Sequence, residues 1–240
     1  MEATELSQQA GCNRRSFLHV SFKAVMLASV PGLGMLSSCG KDKDEEKEVS
    51  PPEDLMQEHG LLNRILLIYD HCQLQLIQNA SFPLESLNDA AMILRTFVED
   101  YHEKQEEDYL FPRFRKANTL TDLVDTLLKQ HNAGRRITEE LIQLSKTNNL
   151  TDADHKKMVD LLAAFNRMYR PHESREDTVL FPAFRKIVSQ HEYDSLGEAF
   201  EKNEQKKFGK DGFETMVGKV ADIEKKLGIY ELAQFTPDIV

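Results

Sequence analysis

From Ser50 onward, apolar residues recur at steps of three and four positions, which is the spacing of one face of an α-helix. Leu62, Ile65 and Tyr69 lie on one such face. No segment alternates apolar and polar residues as a half-buried strand does. The pattern therefore predicts an all-α protein, an up-down four-helix bundle with short connections. The four predicted helices span approximately residues 53–78, 84–116, 121–145 and 151–190.

Two of these helices begin with capping sequences. Ser50 is followed by Pro51 and, three residues on, by Glu53, and Thr151 is followed in the same way by Asp154. In a capping box the two side chains satisfy backbone N–H groups of the first turn, and proline is favoured at the first helical position. These residues therefore predict the starts of the first and fourth helices.

An internal repeat divides the helical region into two halves. The segment HEKQEEDYLFPRFRK, which begins at His102, shares nine of fifteen positions with HESREDTVLFPAFRK, which begins at His172. Upstream, His59 and His131 lie 43 and 41 residues before these two histidines. We therefore expect two helical hairpins related by a pseudo-twofold axis, each with one lone histidine and one HxxxE sequence.

The HxxxE sequence brings an imidazole and a carboxylate together. Residues four apart in an α-helix lie about 6 Å apart along the axis and about 40° apart around it, so both face the same side. Four imidazoles and two carboxylates are a donor set for two metal ions about 3.5–4 Å apart. Such donors fit iron or manganese, and zinc is an alternative; without cysteine ligands, copper–thiolate and iron–sulfur chemistry is disfavoured. The predicted ligands are His59, His102, Glu106, His131, His172 and Glu176.

Other histidines lack this repeated context. His71, His155 and His191 have no partner in the other half, so we expect them to be structural. A Leu-Phe-Pro sequence follows each HxxxE by one turn, and its apolar residues are expected either to wall the site against water or to pack as ordinary core. Each proline removes a helical hydrogen bond, which predicts a kink or local break in both halves. These residues are Leu110, Phe111, Pro112, Leu180, Phe181 and Pro182.

Composition excludes several classes of function. The chain has 30 Lys and Arg against 40 Asp and Glu, a formal charge of −10, so we expect no nucleic-acid partner. It has no glycine-rich phosphate-binding sequence. Cys12, Cys39 and Cys72 are too few and too widely spaced for a disulfide framework or a zinc ribbon. Cys72, on the first helix, is expected to be a buried apolar residue.

The first 38 residues are expected to be a signal peptide and not part of the fold. The run RRSFL, which begins at Arg14, resembles a twin-arginine export signal, and LSSC, which ends at Cys39, resembles a bacterial lipobox. Together they predict export to the bacterial cell envelope, with acyl chains on Cys39 anchoring the protein at the periplasmic side or the cell surface. Residues 39–52 are acidic and end in proline, and are expected to form a flexible tether.

The six predicted ligands, with the Leu-Phe-Pro after each HxxxE, resemble the hemerythrin-like (HHE cation-binding) family over about residues 53–190. The resemblance implies a four-helix bundle that holds two non-haem iron ions, joined by an oxo or hydroxo bridge, and binds dioxygen or a related diatomic or peroxide ligand. In this family, oxygen carriers have a fifth histidine one turn after the third-helix ligand, where this chain has Arg135. Their fourth-helix carboxylate is an aspartate five residues after the histidine, whereas Glu176 follows His172 by four.

The missing fifth histidine weakens the case for a dedicated oxygen carrier. Three functions therefore stay open: a small-ligand binding protein outside the cytoplasm, a di-iron enzyme that reduces peroxide or nitric oxide, and an iron-handling or interaction module. The sequence does not identify an electron donor. Arg135 is expected either to stabilise a bound anion or to extend to solvent, and Tyr169 either to hydrogen-bond a bound ligand or to pack in the core.

Residues 191–240 lie beyond the resemblance. Asp211 with Glu214 predicts a helix start, and an apolar stripe that includes Met216 and Val220 continues to Gly228. We expect this C-terminal helical extension to pack against the bundle, with a partner-docking element as the alternative.

Overall fold

The computed structural model describes residues 49–237, and every regular element in that range is helical. The described residues form six main helices, numbered α1 to α6, followed by a short 3-10 helix. The second and fourth helices each contain consecutive α-helical and π-helical segments, with no non-helical residue between them. The elements are α1 (Pro51–Ile77), α2 (residues 84–116), α3 (Thr121–Ser145), α4 (residues 152–187), α5 (Gln190–Phe208), α6 (Gly212–Leu227) and the 3-10 helix Leu232–Phe235.

Both predicted capping boxes are confirmed. The backbone N–H of Ser50 donates to Glu53 Oε2 at 3.0 Å, and that of Glu53 donates back to Ser50 Oγ at 3.4 Å. Thr151 and Asp154 make the equivalent pair of bonds at the start of α4. The first helix begins at Pro51, so the last two residues of the expected tether belong to it and are buried.

The Leu-Phe-Pro sequences change the helix type without ending the helix. A π-helical turn, Glu106–Leu110 in α2 and Glu176–Leu180 in α4, comes immediately before each Phe-Pro. A proline cannot donate the usual hydrogen bond, and a π turn places the preceding side chains on a wider helix. Each π turn begins at the glutamate of an HxxxE sequence. A second π segment, Leu94–His102, occurs in α2 and has no counterpart in α4.

Among the first four helices, α1 packs against α2 and α4, and α3 packs against the same two helices; α2 and α4 also meet each other, where Phe114 lies against Phe184. Two apolar clusters form between them. The larger contains Ile65 and Phe97, and the smaller contains Leu55 and Phe114. Along the chain, α1 and α3 run from the smaller cluster to the larger, and α2 and α4 run in the opposite sense. The residues of each helix between the two clusters form a polar layer.

The C-terminal helices correct part of the sequence prediction. The fourth helix ends at Ile187, not near residue 190, because Val188 is extended and Ser189 caps a separate helix, α5. Asp211 makes no side-chain cap at the start of α6; instead Glu204 accepts a hydrogen bond from the backbone N–H of Phe213 at 2.7 Å. The packing prediction is confirmed, because α6 lies against α1 and α2 and contributes to the larger cluster.

The predicted signal peptide, the lipidation site Cys39 and most of the predicted tether lie outside the described residues. Among residues 49–237, no helix combines the length and the apolar character that crossing a bilayer requires.

Candidate metal centre

The polar layer between the two apolar clusters contains all six predicted ligands. One histidine comes from α1 and one from α3, and an HxxxE pair comes from each of α2 and α4. Each of the six residues is at most 4% exposed, although its side chain carries charge or strong hydrogen-bonding groups. Polar groups are rarely buried to this extent unless they are paired or bind a metal ion.

The six residues form two groups. Within each group, the potential ligand atoms lie within 4.8 Å of one another. The first group is His59, His102 and Glu106, and the second group is His131, His172 and Glu176. The imidazole centroids are 4.8 Å apart in the first group and 4.9 Å apart in the second. The two halves of the chain thus contribute one group each, at matching distances.

Each glutamate also approaches a histidine of the other group. Glu106 Oε2 lies 3.4 Å from His131 Nε2, and Glu176 Oε2 lies 3.4 Å from His59 Nε2 and 3.2 Å from His172 Nε2. None of the four oxygens of these fully buried carboxylates has a hydrogen-bond donor of good geometry among the described residues. A buried carboxylate without donors is costly, so this arrangement fits a bound cation.

The outer nitrogens of the four imidazoles are each held by an acceptor. His59 Nδ1 faces Asp177 Oδ1 at 2.7 Å, and His102 Nδ1 faces Glu58 Oε2 at 2.8 Å. An acceptor at Nδ1 holds the proton on that nitrogen, so the lone pair of Nε2 is directed to the centre of the layer. In the second group, His131 Nδ1 faces Glu107 Oε1 at 3.1 Å and His172 Nδ1 faces Gln130 Oε1 at 2.9 Å.

The electrostatics of the layer also fit a cation. Burial by itself lowers the pKa of His131, but the carboxylates of Glu103, Glu106 and Glu107 raise it to about 10. Burial likewise opposes ionisation of Glu176, yet His172 and His59 hold its pKa well below the usual value. The acidic residues therefore favour positive charge at the imidazoles, and a metal ion supplies such charge when it replaces the protons.

Aromatic rings cover two of the imidazoles. Phe181 stacks on His59 and Phe111 stacks on His131, in both cases with ring centroids 5.6 Å apart. Both phenylalanines belong to the smaller apolar cluster. The two phenylalanines therefore take both roles considered from the sequence, since they form core and also exclude water from one side of the layer, whereas Pro112 and Pro182 are exposed.

Arg135 and Tyr169 bind carboxylates that lie behind the centre, and the Tyr169 ring also packs against the predicted ligand His172, with centroids 5.2 Å apart. Arg135 Nη2 lies 2.6 Å from Glu103 Oε2 and 2.7 Å from Glu107 Oε1, so the guanidinium neither extends freely to solvent nor faces the glutamates of the two groups. The hydroxyl of Tyr169 donates to Glu103 Oε1 at 2.6 Å. Its ring stacks on Phe165, with centroids 4.3 Å apart.

The residues that hold the imidazoles were not predicted from the sequence. Glu58 and Gln130 directly precede the lone histidines, 72 residues apart, and Glu107 and Asp177 directly follow the HxxxE glutamates, 70 residues apart. The repeat carries a signal for them, because all four are polar residues at equivalent positions next to ligands. Cys72 is buried as predicted, and burial raises the pKa of its thiol to about 12.

Comparison with known proteins agrees with this site. The family model described as the hemerythrin HHE cation binding domain matches residues 50–184. Proteins of Mycobacterium tuberculosis and Mycobacterium bovis, both described as uncharacterized, are 42% identical over 241 residues, which cover 95% of this chain and 92% of each relative. No solved structure matches the chain. The matched region contains every residue of the two groups, and the chain belongs to the hemerythrin HHE cation-binding domain family.

Proposed function

We propose that this chain is a non-haem di-iron protein that binds dioxygen or a related small ligand outside the cytoplasm. The observation that carries the proposal is the pair of buried groups, with four carboxylate oxygens for which the described residues offer no hydrogen-bond donor of good geometry. Helices α1 to α4 are proposed to form an up-down four-helix bundle around them. The alternating order in which the helices meet the two apolar clusters supports this arrangement.

Two metal positions are proposed because each glutamate approaches histidines of both groups, as a bridging carboxylate does. Iron is proposed because four imidazoles and two carboxylates, without a thiolate, suit a redox-active first-row ion of intermediate softness. Manganese and zinc accept the same donors less selectively and are outcomes of the test. An iron pair, when bound, supplies a redox-active Lewis-acid centre.

The chain's own residues favour binding of a small ligand. Each group offers two imidazoles and one glutamate, and a set of histidine and carboxylate donors of this size leaves open positions at non-haem iron, so room is left for an external ligand. Phe111 covers the imidazole of His131 and Phe181 covers that of His59, and both rings limit access of water. Arg135, at the position of the fifth histidine of the oxygen carriers, pairs with Glu103 and Glu107 and adds no donor to the centre.

Export and lipid anchoring at Cys39 form the second part of the proposal. The support is the sequence alone: RRSFL, the lipobox-like LSSC and the acidic segment after it. Metabolic labelling with a fatty-acid analogue tests the anchor, and Cys39→Ser is expected to abolish the label. Label that persists in this variant, or wild-type protein that stays in the cytoplasmic fraction, would contradict it.

The central experiment is metal analysis of the protein isolated from its native compartment. We expect about two iron ions per chain, as the donor set implies, and loss of iron in Glu106→Ala and His172→Ala. His191→Ala is the matched control, because this histidine is exposed and belongs to neither group. Unchanged iron content in the two ligand variants would refute the proposal.

Anaerobic reduction followed by oxygen titration separates ligand binding from metal storage. A reversible charge-transfer absorption band that appears with oxygen supports the binding protein. Catalytic turnover of peroxide or nitric oxide with an artificial electron donor would instead assign the protein to the enzyme class. Iron that is released on reduction, without an oxygen-dependent band, would identify an iron-handling module.

A further inference from the structure

The outer contacts of the first group are both carboxylates. Asp177 holds His59 at 2.7 Å and Glu58 holds His102 at 2.8 Å. A carboxylate that accepts the Nδ1 proton draws it away from the ring, which makes Nε2 a stronger donor, and it adds negative charge behind the metal position. Both imidazoles of this group therefore have enhanced affinity for a cation.

One outer contact of the second group is a neutral amide. Gln130 Oε1 faces His172 Nδ1 at 2.9 Å, so it can fix the orientation of the ring, but it supplies no charge. Gln130 occupies the position equivalent to Glu58, 72 residues later in the chain. The two halves of the site thus differ by the exchange of a carboxylate for an amide of nearly the same shape.

The other outer contact of the second group is a carboxylate that two cations share. Glu107 Oε1 lies 3.1 Å from His131 Nδ1, but it also lies 2.7 Å from Arg135 Nη2, and Lys104 Nζ donates to the second oxygen of the same carboxylate. Hydrogen bonds to several donors divide the negative charge, and the two cations lie on the side of the second group. The support that Glu107 gives to His131 is correspondingly weaker.

We propose that the two metal positions are unequal: the first group binds its metal ion more tightly and fills first, and Glu58 and Gln130 are the positioning residues that set the difference. This inference rests on the proposed function, since it requires two metal positions. Its physical consequence is a centre with one firmly held ion and one exchangeable ion.

An anaerobic titration of the full, metal-free chain with ferrous iron tests the proposal. The wild type is expected to bind two ions in two steps whose dissociation constants differ at least about tenfold, the lower end of the effects that outer contacts of metal ligands produce. In Gln130→Glu, the weaker step is expected to tighten by about 10- to 100-fold. In Glu58→Gln, the tighter step is expected to weaken by a similar factor, so that the two constants converge.

Gln143→Glu is the matched control. It makes the same change of charge on the same helix, α3, at an exposed position away from the site. A gain in affinity from Gln130→Glu is a result that damage to the fold does not produce, so this variant decides the question even where Glu58→Gln folds poorly. Circular dichroism of each metal-free variant establishes that it is folded.

The outcomes distinguish this inference from the proposed function. Two ions bound with equal constants, or equal responses to Gln130→Glu and Gln143→Glu, would overturn the inference and leave the di-iron proposal intact. Weakening of only the second step in Glu58→Gln would reverse the assignment of the two positions and also overturn it. Fewer than two ions bound to the wild-type chain would overturn both.

Discussion

The two halves of the site are nearly identical at the centre and different one layer further out. Each half supplies two imidazoles and one glutamate, and each has a phenylalanine stacked on the lone histidine with centroids 5.6 Å apart. The interplanar angles of these stacks are 16° for Phe181 on His59 and 20° for Phe111 on His131. The residues that can bind a metal ion tolerate little variation, which accounts for the likeness of the inner layer, that is, the six predicted ligands and the two stacked phenylalanines.

The outer layer carries different chemistry at equivalent positions. Asn63 of α1 donates an amide hydrogen to Glu173, at 3.0 Å, whereas Arg135, its counterpart in α3, pairs with Glu103, the counterpart of Glu173. Burial raises the pKa of Glu173 to about 7, against the opposing effect of His59. A neutral amide and a guanidinium thus hold equivalent carboxyl groups in different electrostatic surroundings. The comparison teaches that a repeated motif can keep its ligands while the two positions acquire different properties.

The largest expected effect tests the likeness of the inner layer. Phe111→Ala and Phe181→Ala each remove a buried ring, and each is expected to lower the free energy of unfolding by about 3–5 kcal/mol, because a cavity is left beside an imidazole. Urea unfolding of the metal-free protein measures both. Leu67→Ala, at a residue 40% exposed, serves as the control with little loss. If one of these substitutions lowers the free energy of unfolding by less than half as much as the other, the two phenylalanines are not packed equivalently.

The next effect concerns Glu99, a fully buried carboxyl group in α2. Burial raises its pKa from 4.5 to about 7. Between these values the folded state binds more protons than the unfolded state, so stability falls as the pH rises, by an amount on the order of 3 kcal/mol. Glu99→Gln removes this loss, and the variant is expected to gain on the wild type as the pH increases from 4.5 to 8. The charged or titratable groups that face Glu99 are Arg95, Arg135, Glu103, Tyr69 and Tyr169.

Thermal unfolding of both proteins over this pH range measures the difference, and other titrations cancel in the comparison. Tyr169 occupies the equivalent position in α4, and burial with the nearby Glu103 raises the pKa of its hydroxyl well above the usual value, so the residue at this position of α4 does not titrate near neutral pH. Parallel stability curves for the wild type and Glu99→Gln would show that Glu99 does not titrate in this window.

A smaller change in the free energy of unfolding is expected at a position where one half has a large residue and the other half has a glycine. Gly134 of α3 is equivalent to the buried Leu62 of α1, and a methyl group at this glycine would lie 2.2 Å from the hydroxyl oxygen of Tyr169. Gly134→Ala is expected to lower the free energy of unfolding by about 1–3 kcal/mol, because the ring lies between packed helices. Adding Tyr169→Phe is expected to recover part of the loss, since the closest atom is then removed.

Gly218→Ala, at a helical glycine with open space around it, is the control and is expected to stabilise the chain by about 0.4–1 kcal/mol. Chemical denaturation of the wild type, Gly134→Ala, Tyr169→Phe and the double variant completes the double-mutant cycle. If Gly134→Ala is neutral, or if Tyr169→Phe gives no recovery, the close approach of α3 and α4 at this glycine does not restrict the residue there.

The sequence predicted the inner layer because the repeat, the helical spacing and metal chemistry all select the same residues. The capping sequences of Ser50 and Thr151 predicted two helix starts for local reasons. The break at Val188 was missed, since it depends on how α5 leaves the core and not on a local breaker residue. The role of Arg135 depends on Glu103 and Glu107, which lie on another helix, and only the packing of α2 against α3 brings the three together.

The smallest expected effect concerns the exposed cation of the outer layer. Lys104 pairs with Glu107 in α2, whereas the equivalent position in α4 is Ser174, which cannot make such an ion pair with Asp177. Lys104→Ser therefore gives α2 the residue of the other half. Because the lysine side chain is 46% exposed, the free energy of unfolding is expected to change by less than about 1 kcal/mol, and the change should shrink further as salt is added. Lys202→Ser, which removes an exposed lysine paired with Glu198 on α5, controls for the loss of a surface ion pair. If Lys104→Ser costs several times more than this control at high salt, the lysine acts through a buried contact, and the difference between the two halves extends to the surface of α2.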